Sequence, residues 1–244
     1  MQMNTFAVIL LLIFAFGAAF VQRVTGFGFG IFIMTLLPHI MPSYGEATAL
    51  SGMLALLTSA VTAAKCFRDV PWKKMAIILA AFLIVSFFSV KTVSHIDSVI
   101  LRKVLGVTLI AISLYFFLAN GRIRLRPSAG TQLAMGGISG IMGGLFAMQG
   151  PPAVIYFISC SDTKEEYIAL TQWYFVIGNL MMTFFRARNG FVTGSVGRAL
   201  IIAVPAAFAG LYIGRKVYDR MPIEAIRKAV YGFIAIAGLI AVIF

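Results

Sequence analysis

Runs of seventeen to twenty-two consecutive apolar residues recur along the whole chain, and that is the length an α-helix needs to cross about 30 Å of hydrocarbon. A backbone immersed in hydrocarbon must satisfy its own hydrogen bonds, so only helices or a closed barrel can make such crossings. Barrel strands alternate apolar and polar residues over short stretches, whereas these runs are apolar all round. The chain therefore reads as an all-α, polytopic helical membrane protein. Its composition agrees: 61% of the 244 residues are hydrophobic and 11% charged, a balance no water-soluble domain shows. The first run follows residues 1–4, which carry no positive charge. It is expected to belong to the mature protein rather than to a signal peptide.

Lys and Arg outnumber Asp and Glu by 20 to 8, and nearly all the cations lie between the apolar runs. There they serve topology and lipid headgroup contact. A nucleic-acid partner would need a basic face on a soluble domain, which is absent here. Cys66 and Cys160 lie far apart without metal-ligand spacing and read as unpaired apolar residues. His39 and His95 stand alone near segment ends, and all eight carboxylates fall at or beyond helix ends. No phosphate-loop motif is present. Enzyme chemistry, ATP hydrolysis and a bound cofactor or metal are accordingly not expected, and a buried carboxylate relay for protons is hard to build.

The apolar segments span approximately 5–37, 46–65, 75–93, 99–119, 131–159, 167–185, 198–214 and 225–244. Two of them are too long. As single helices the first and fifth would extend about 50 and about 45 Å, well beyond the bilayer core. Each carries a glycine cluster and then proline: Gly26, Gly28 and Gly30 before Pro38, and Gly136, Gly137, Gly140, Gly143 and Gly144 before Pro151 and Pro152. Gly26, Gly30 and Pro38 map onto Gly140, Gly144 and Pro152 at a constant shift of 114. Ala49-Leu50-Ser51 resembles Ala169-Leu170-Thr171 at 120, and Leu101-Arg102-Lys103 resembles Ile226-Arg227-Lys228 at 125. We read two homologous halves, 1–121 and 131–244, joined by a basic linker, 122–130.

If every segment crosses once, the two sides receive nearly equal numbers of cations. If the two glycine-broken segments instead enter and return, the side of the linker carries roughly twice as many, as the positive-inside rule prefers. This arrangement leaves three plain crossings per half and makes the halves inverted repeats, with the linker cytoplasmic.

Each glycine costs a helix interior about 1 kcal/mol relative to alanine, so something must compensate. Close helix packing is one explanation. The conjunction of over-long segments, proline and matched positions favours another, in which interrupted helices form a transporter's binding site. Breaks expose helix N-termini whose free N–H groups suit an anion. Arg23 either adds a formal charge or extends to the interface. Gln149, beside Gly150, Pro151 and Pro152, either donates at the second break or bonds helix to helix. Ser51, Ser59, Thr171, Gln172 and Asn179 lie on the following helices, with Asn179 the foremost site candidate among them.

The run 136–152, with its weaker copy at 25–38, closely resembles the repeated signature of the TauE/SafE family of sulfite exporters. Val70-Pro71-Trp72, Arg102-Lys103 and Arg227-Lys228 look like that family too, and the resemblance covers nearly the whole chain. Ala147 departs from it, standing where family members commonly have glycine, so the cavity is expected to be shaped differently. The resemblance implies export of sulfite, or of small organosulfonates such as sulfoacetate, through the bacterial inner membrane. The expected partners are a small anionic substrate and the lipid bilayer, and the sequence leaves a homo-oligomer open. A channel, or a permease for another oxyanion such as thiosulfate, would use the same glycine breaks. Gly26, Gly28, Gly30, Pro38, Gly140, Gly143, Gly144, Gln149, Gly150, Pro151 and Pro152 are carried over as the permeation region.

Overall fold

The protein was analysed as a computed structural model that describes residues 4–66, 70–119 and 125–218. The expected last segment, 225–244, most of the basic linker, and the Ile226-Arg227-Lys228 repeat lie outside the described residues. Those described fold into ten helices: α1 (Thr5–Thr25), α2 (Phe29–Ile33), α3 (Leu37–Ile40), α4 (Tyr44–Ala63), α5 (Trp72–Val93), α6 (Ser98–Ala119), α7 (Ala129–Phe146), α8 (Gly150–Cys160), α9 (Lys164–Arg188) and α10 (Gly194–Tyr218). Six of them, α1, α4, α5, α6, α9 and α10, are long and apolar enough to cross a bilayer. The chain is a multi-pass membrane protein.

The helices start where the sequence supplies caps. Ser43 Oγ accepts from Glu46 N at 3.2 Å to open α4, and Thr163 Oγ1 accepts from Glu166 N at 3.1 Å to open α9. Both are Ser/Thr-x-x-Glu sequences, which satisfy orphan amides at a helix start. Asn4 and Ser128 cap α1 and α7 in the same way.

Both over-long segments are broken, but the second breaks later than its glycines suggest. In the first segment α1 ends at Gly26 in the left-handed conformation (φ 82°), and α2 begins after Gly28 (φ 97°). By contrast α7 runs unbroken through Gly136, Gly140, Gly143 and Gly144 and ends only at Ala147, which is itself left-handed (φ 57°). The glycine cluster of α7 is a packing face. A Cβ at Gly136 would lie 2.5 Å from the Ile78 carbonyl oxygen, and one at Gly140 would lie 2.9 Å from that of Phe82. One at Gly144 would run into Ser89 on the next turn of α5. Close approach along this small-residue stripe offsets the poor helix propensity of glycine. Gly210 and Gly214 on α10 meet the carbonyls of Phe16 and Phe20 on α1 in the same manner.

The break positions also correct the repeat register. Ala147 follows Gly26 by 121 residues, and the N-cap Gln149 follows the N-cap Gly28 by the same interval. The caps Ser43 and Thr163 are 120 apart. The shift of 114 read from the glycines therefore matched a packing stripe to a break.

Both broken segments double back. Gly136, Gly140 and Gly144 face successively later residues of α5, so α7 and α5 run in the same direction. The end of α8 returns to where both began: Leu125 N donates to Ser159 Oγ at 3.0 Å, and Lys74 Nζ donates to the Cys160 carbonyl at 3.0 Å. In the first half, Leu36, His39, Ile40 and Met41 border the same cavity as Asn4, Ala7 and Val8, so α3 returns to the start of α1. Between these hairpins α4 and α9 lie antiparallel, Gly45 against Phe191 and Gly52 against Arg186. Each half thus packs its hairpin helix on a helix of the other, α7 on α5 and α1 on α10.

Candidate functional site

The two breaks meet. A Cβ on Gly30, in the first turn of α2, would collide with the backbone oxygen of Ala147, so the first hairpin tip rests directly on the second. Phe27 packs beside Gly150, 3.6 Å from where a Cβ would stand on that glycine. Between the tips is a narrow cleft bounded by Gly28 to Ile31 on one side and Ala147 to Gly150 on the other. Gln22 of α1, Ala55 and Ser59 of α4, and Phe175 and Asn179 of α9 close its flanks. Its free volume is about 30 Å³, room for roughly one or two water molecules.

The walls are uncharged but rich in hydrogen-bonding groups. Gln22 Nε2 donates to Ser59 Oγ at 2.8 Å, while Thr58 Oγ1 donates to Gln22 Oε1 at 2.7 Å, fixing α1 to α4. Gln172 Nε2 donates to the Gly26 carbonyl at 2.8 Å and so satisfies the end of α1 where the helix stops. Ser139 Oγ donates to the Gln149 carbonyl and accepts from Tyr174 Oη at 2.8 Å, which ties the second break to α7 and α9. Gln149 Nε2 reaches the Phe175 carbonyl only at 3.5 Å, and Gln149 Oε1 has no hydrogen-bond partner among the described residues. The first amides of α2, at Phe29, Gly30 and Ile31, have no carbonyl a turn earlier to bond. At α8 the supply is thinner, because Pro151 and Pro152 carry no N–H.

Of the sequence candidates, Gly28, Gly30, Gln149, Gly150 and Asn179 line this cleft, and Gly26 forms the bend that leads into it. Gly143 stands behind it, with Gln149 Cβ 3.1 Å from where its own Cβ would be. Gly140 and Gly144 face α5 instead. Pro38 is buried in α3, and Pro151 and Pro152 are buried in the first turn of α8. Ser51 on α4 and Thr171 on α9 are buried with hydroxyls that have no partner among the described residues. Arg23 is placed elsewhere: with Lys65 and Arg215 it borders a separate cavity of about 190 Å³. Cys66 and Cys160 form no disulfide, and the described residues contain no group of His, Cys, Asp and Glu that could hold a metal.

Sequence reasoning missed Gln22, hidden in an otherwise apolar α1, and Arg186, which the expected segment 167–185 left just outside but which lies within α9. Arg186 is 0% exposed. Its Nη2 donates to the Gly143 carbonyl at 2.8 Å, whereas Nε and Nη1 have no partner among the described residues. The signal available was its place within the helical run after Asn179, seven residues and two turns on along one face.

Comparison with known proteins agrees with this architecture. The family described as sulfite exporter TauE/SafE matches residues 11–240. A protein of Cupriavidus necator named "Probable sulfite/organosulfonate exporter TauE" is 22% identical over 215 residues, covering 86% of this chain and 84% of its own. A protein of Methanocaldococcus jannaschii named as a probable membrane transporter is 23% identical over 258 residues, covering 94% and 93% respectively. No solved structure matches.

Proposed function

The chain belongs to the sulfite exporter TauE/SafE family, and on that premise we propose that it carries a small anion, sulfite or an organosulfonate, out of the bacterial cytoplasm through the cleft between its two helix breaks. The observation that carries this reading is the meeting of the breaks. Unwound backbone inside a membrane protein is tolerated where it is buried or lines a polar path, and here both interruptions face one narrow space. The relative from Cupriavidus necator bears the name of a sulfite/organosulfonate exporter, which supports the substrate class.

In this reading Gly26 and Gly28 make the turn of the first tip, and Gly30 lies in the first turn of α2, whose leading amides are free to donate. Gln149 and Gly150 form the second tip, and Asn179 offers an amide from the side. Donors without formal charge suit a passenger that must leave again. Gly140, Gly143 and Gly144 hold the tip in place from behind, with Pro151 and Pro152 stiffening the start of α8 and Pro38 that of α3. Ser51 and Thr171 supply spare hydroxyls next to the path. Arg23, with Lys65 and Arg215, would draw anions to the side from which they leave.

We further read the halves as inverted repeats. The antiparallel pairing of α4 and α9, and the hairpins returning to opposite ends, support it. The end carrying Arg23, Lys65, Lys73, Lys74 and Arg215 is then cytoplasmic by the positive-inside rule. An inside-negative potential would assist the exit of an anion by about 2.3 kcal/mol per charge per 100 mV. No chemical step on the passenger is needed, so we assign a transporter and no catalytic activity. A cleft as narrow as about 30 Å³ favours a carrier that opens to one side at a time over a standing channel.

Purified protein in proteoliposomes tests the proposal. Labelled sulfite should leave vesicles faster when the potential is negative inside, and unlabelled sulfite and organosulfonates should compete. Movement of a neutral solute with no anion flux would refute it, and single-channel currents in a planar bilayer would replace the carrier with a channel.

A further inference from the structure

We propose that Arg186 is a second anion station, placed outward of the cleft on the way to the exterior face; this rests on the export reading above. A guanidinium does not give up its proton under ordinary conditions, so Arg186 brings a permanent charge into a fully buried position. A buried charge without a partner is costly, by several kcal/mol, unless an opposite charge or a full set of acceptors meets it. Here one acceptor does, the Gly143 carbonyl. The ion pairs among the described residues all involve Lys74, and none reaches Arg186. Nε and Nη1 have no hydrogen-bond partner among the described residues.

Gly52 of α4 lies against Nη1: a Cβ there would stand 2.7 Å from Nη1 and 3.9 Å from Asn179 Oδ1. Glycine at this position is therefore what lets the guanidinium seat beside α4, next to the side chain of Asn179. Tyr44, at the start of α4, is close enough to interact electrostatically with Arg186, and its buried hydroxyl also lacks a partner among the described residues. Two guanidinium nitrogens and one phenol are thus buried without a hydrogen-bond partner among the described residues. Asn179, which lines the cleft, and Arg186 are two helical turns apart on α9, about 10 Å along the axis. An anion leaving the cleft past Asn179 meets Arg186 next. The donors fit an oxyanion, whose oxygens are distributed around one central atom and can accept from more than one direction.

The alternative role for Arg186 is purely structural, as a clamp on the last turn of α7. Flux and binding separate the two. In proteoliposomes of the full chain, Arg186→Gln should lower sulfite flux at least 100-fold and Arg186→Lys about 10-fold with a raised KM. In detergent, the rise in Tm that sulfite gives the wild type should vanish in Arg186→Gln, while sodium chloride at equal ionic strength gives neither protein that rise. If Arg186→Gln does not fold, Tyr44→Phe decides, with an expected several-fold rise in KM and an unchanged Tm without anion. Wild-type flux with an unaltered KM in Arg186→Lys and Tyr44→Phe overturns the station and leaves the export reading standing. A wild type that moves no anion sinks that reading instead, and the station with it.

Discussion

Arg186 Nη2 and the Gly143 carbonyl oxygen lie 2.8 Å apart, and the same oxygen accepts from Ala147 N at 3.0 Å. One carbonyl thus closes the last turn of α7 and receives the buried guanidinium. These two hydrogen bonds to the Gly143 carbonyl hold the chain at the point where it turns left-handed. Ala147 is the only described residue other than glycine with a positive φ, a conformation that costs an alanine about 1 kcal/mol.

Ala147→Gly should therefore stabilise the protein by about 1 kcal/mol, seen as a higher Tm in detergent with sulfite KM little changed. An unchanged or lower Tm would mean that the neighbouring contacts, rather than backbone strain, set the energy of this turn.

Gly30→Val should reduce flux at least 10-fold, because a side chain there strikes the Ala147 backbone and forces the tips apart. Gly137→Ala is the matched control: nothing lies within 4 Å of its added methyl, and alanine favours the helix by about 1 kcal/mol. The pair is scored by flux per inserted molecule, and equal rates would show that tip contact is irrelevant to transport.

Replacing Gly140 by Leu drives a large side chain into the Phe82 carbonyl and Val85. Overpacking of this kind costs about 1–3 kcal/mol. Thermal unfolding should fall accordingly while KM for sulfite stays near the wild-type value; a raised KM with an intact Tm would return this glycine to the binding surface. Gly144, wedged against Ser89, should behave the same way.

Gln22→Leu leaves the buried Thr58 and Ser59 hydroxyls without their shared partner. Loss of such bonds costs about 1–3 kcal/mol, and because Gln22 and Ser59 line the cleft, substrate KM should rise as well. Urea-free thermal melts and sulfite titration measure the two effects; a variant matching the wild type in both would remove Gln22 from the site.

At the end of the bundle where α5 and α9 begin, Lys74 bonds Glu166 at 2.7 Å and Asp162 at 3.1 Å. The Asp162 side chain is 85% exposed and that of Glu166 is 15% exposed, so water competes unequally. Asp162→Asn should change stability by less than about 0.5 kcal/mol. Glu166→Gln should cost about 1–2 kcal/mol, with the difference shrinking in high salt. Equal losses would show that exposure does not govern this pair.

The membrane class and the apolar segments that hold the six helices long enough to cross a bilayer were legible because hydrocarbon thickness dictates run length. The family was legible from the run 136–152 and is established by the match over 11–240. The first break was placed correctly, since Gly26 and Gly28 both occupy left-handed turns. At the second, Gln149 and Gly150 do stand at the break, but the glycines before them were counted in it too, because glycine has two uses in a membrane helix and composition does not tell them apart. Gly140 and Gly144 admit α5, while the turn itself falls on an alanine. Arg186 was hidden for a related reason: a cation near a segment end looks like a loop residue until α4 and α7 are seen to close over it. Gln22 gave no pattern at all, being one polar residue whose partners lie 36 and 37 positions away.

The hollow at the centre is narrow, and where the two tips touch, at Gly30 and Ala147, backbone rests on backbone. Turning a side chain would not part them; the hairpins themselves would have to move. Each turnover then involves moving rigid pieces of chain through a viscous bilayer, so the rate should rise steeply with temperature and fall in stiffer lipid, as the working stroke of a pump does and the flow through an open bore does not.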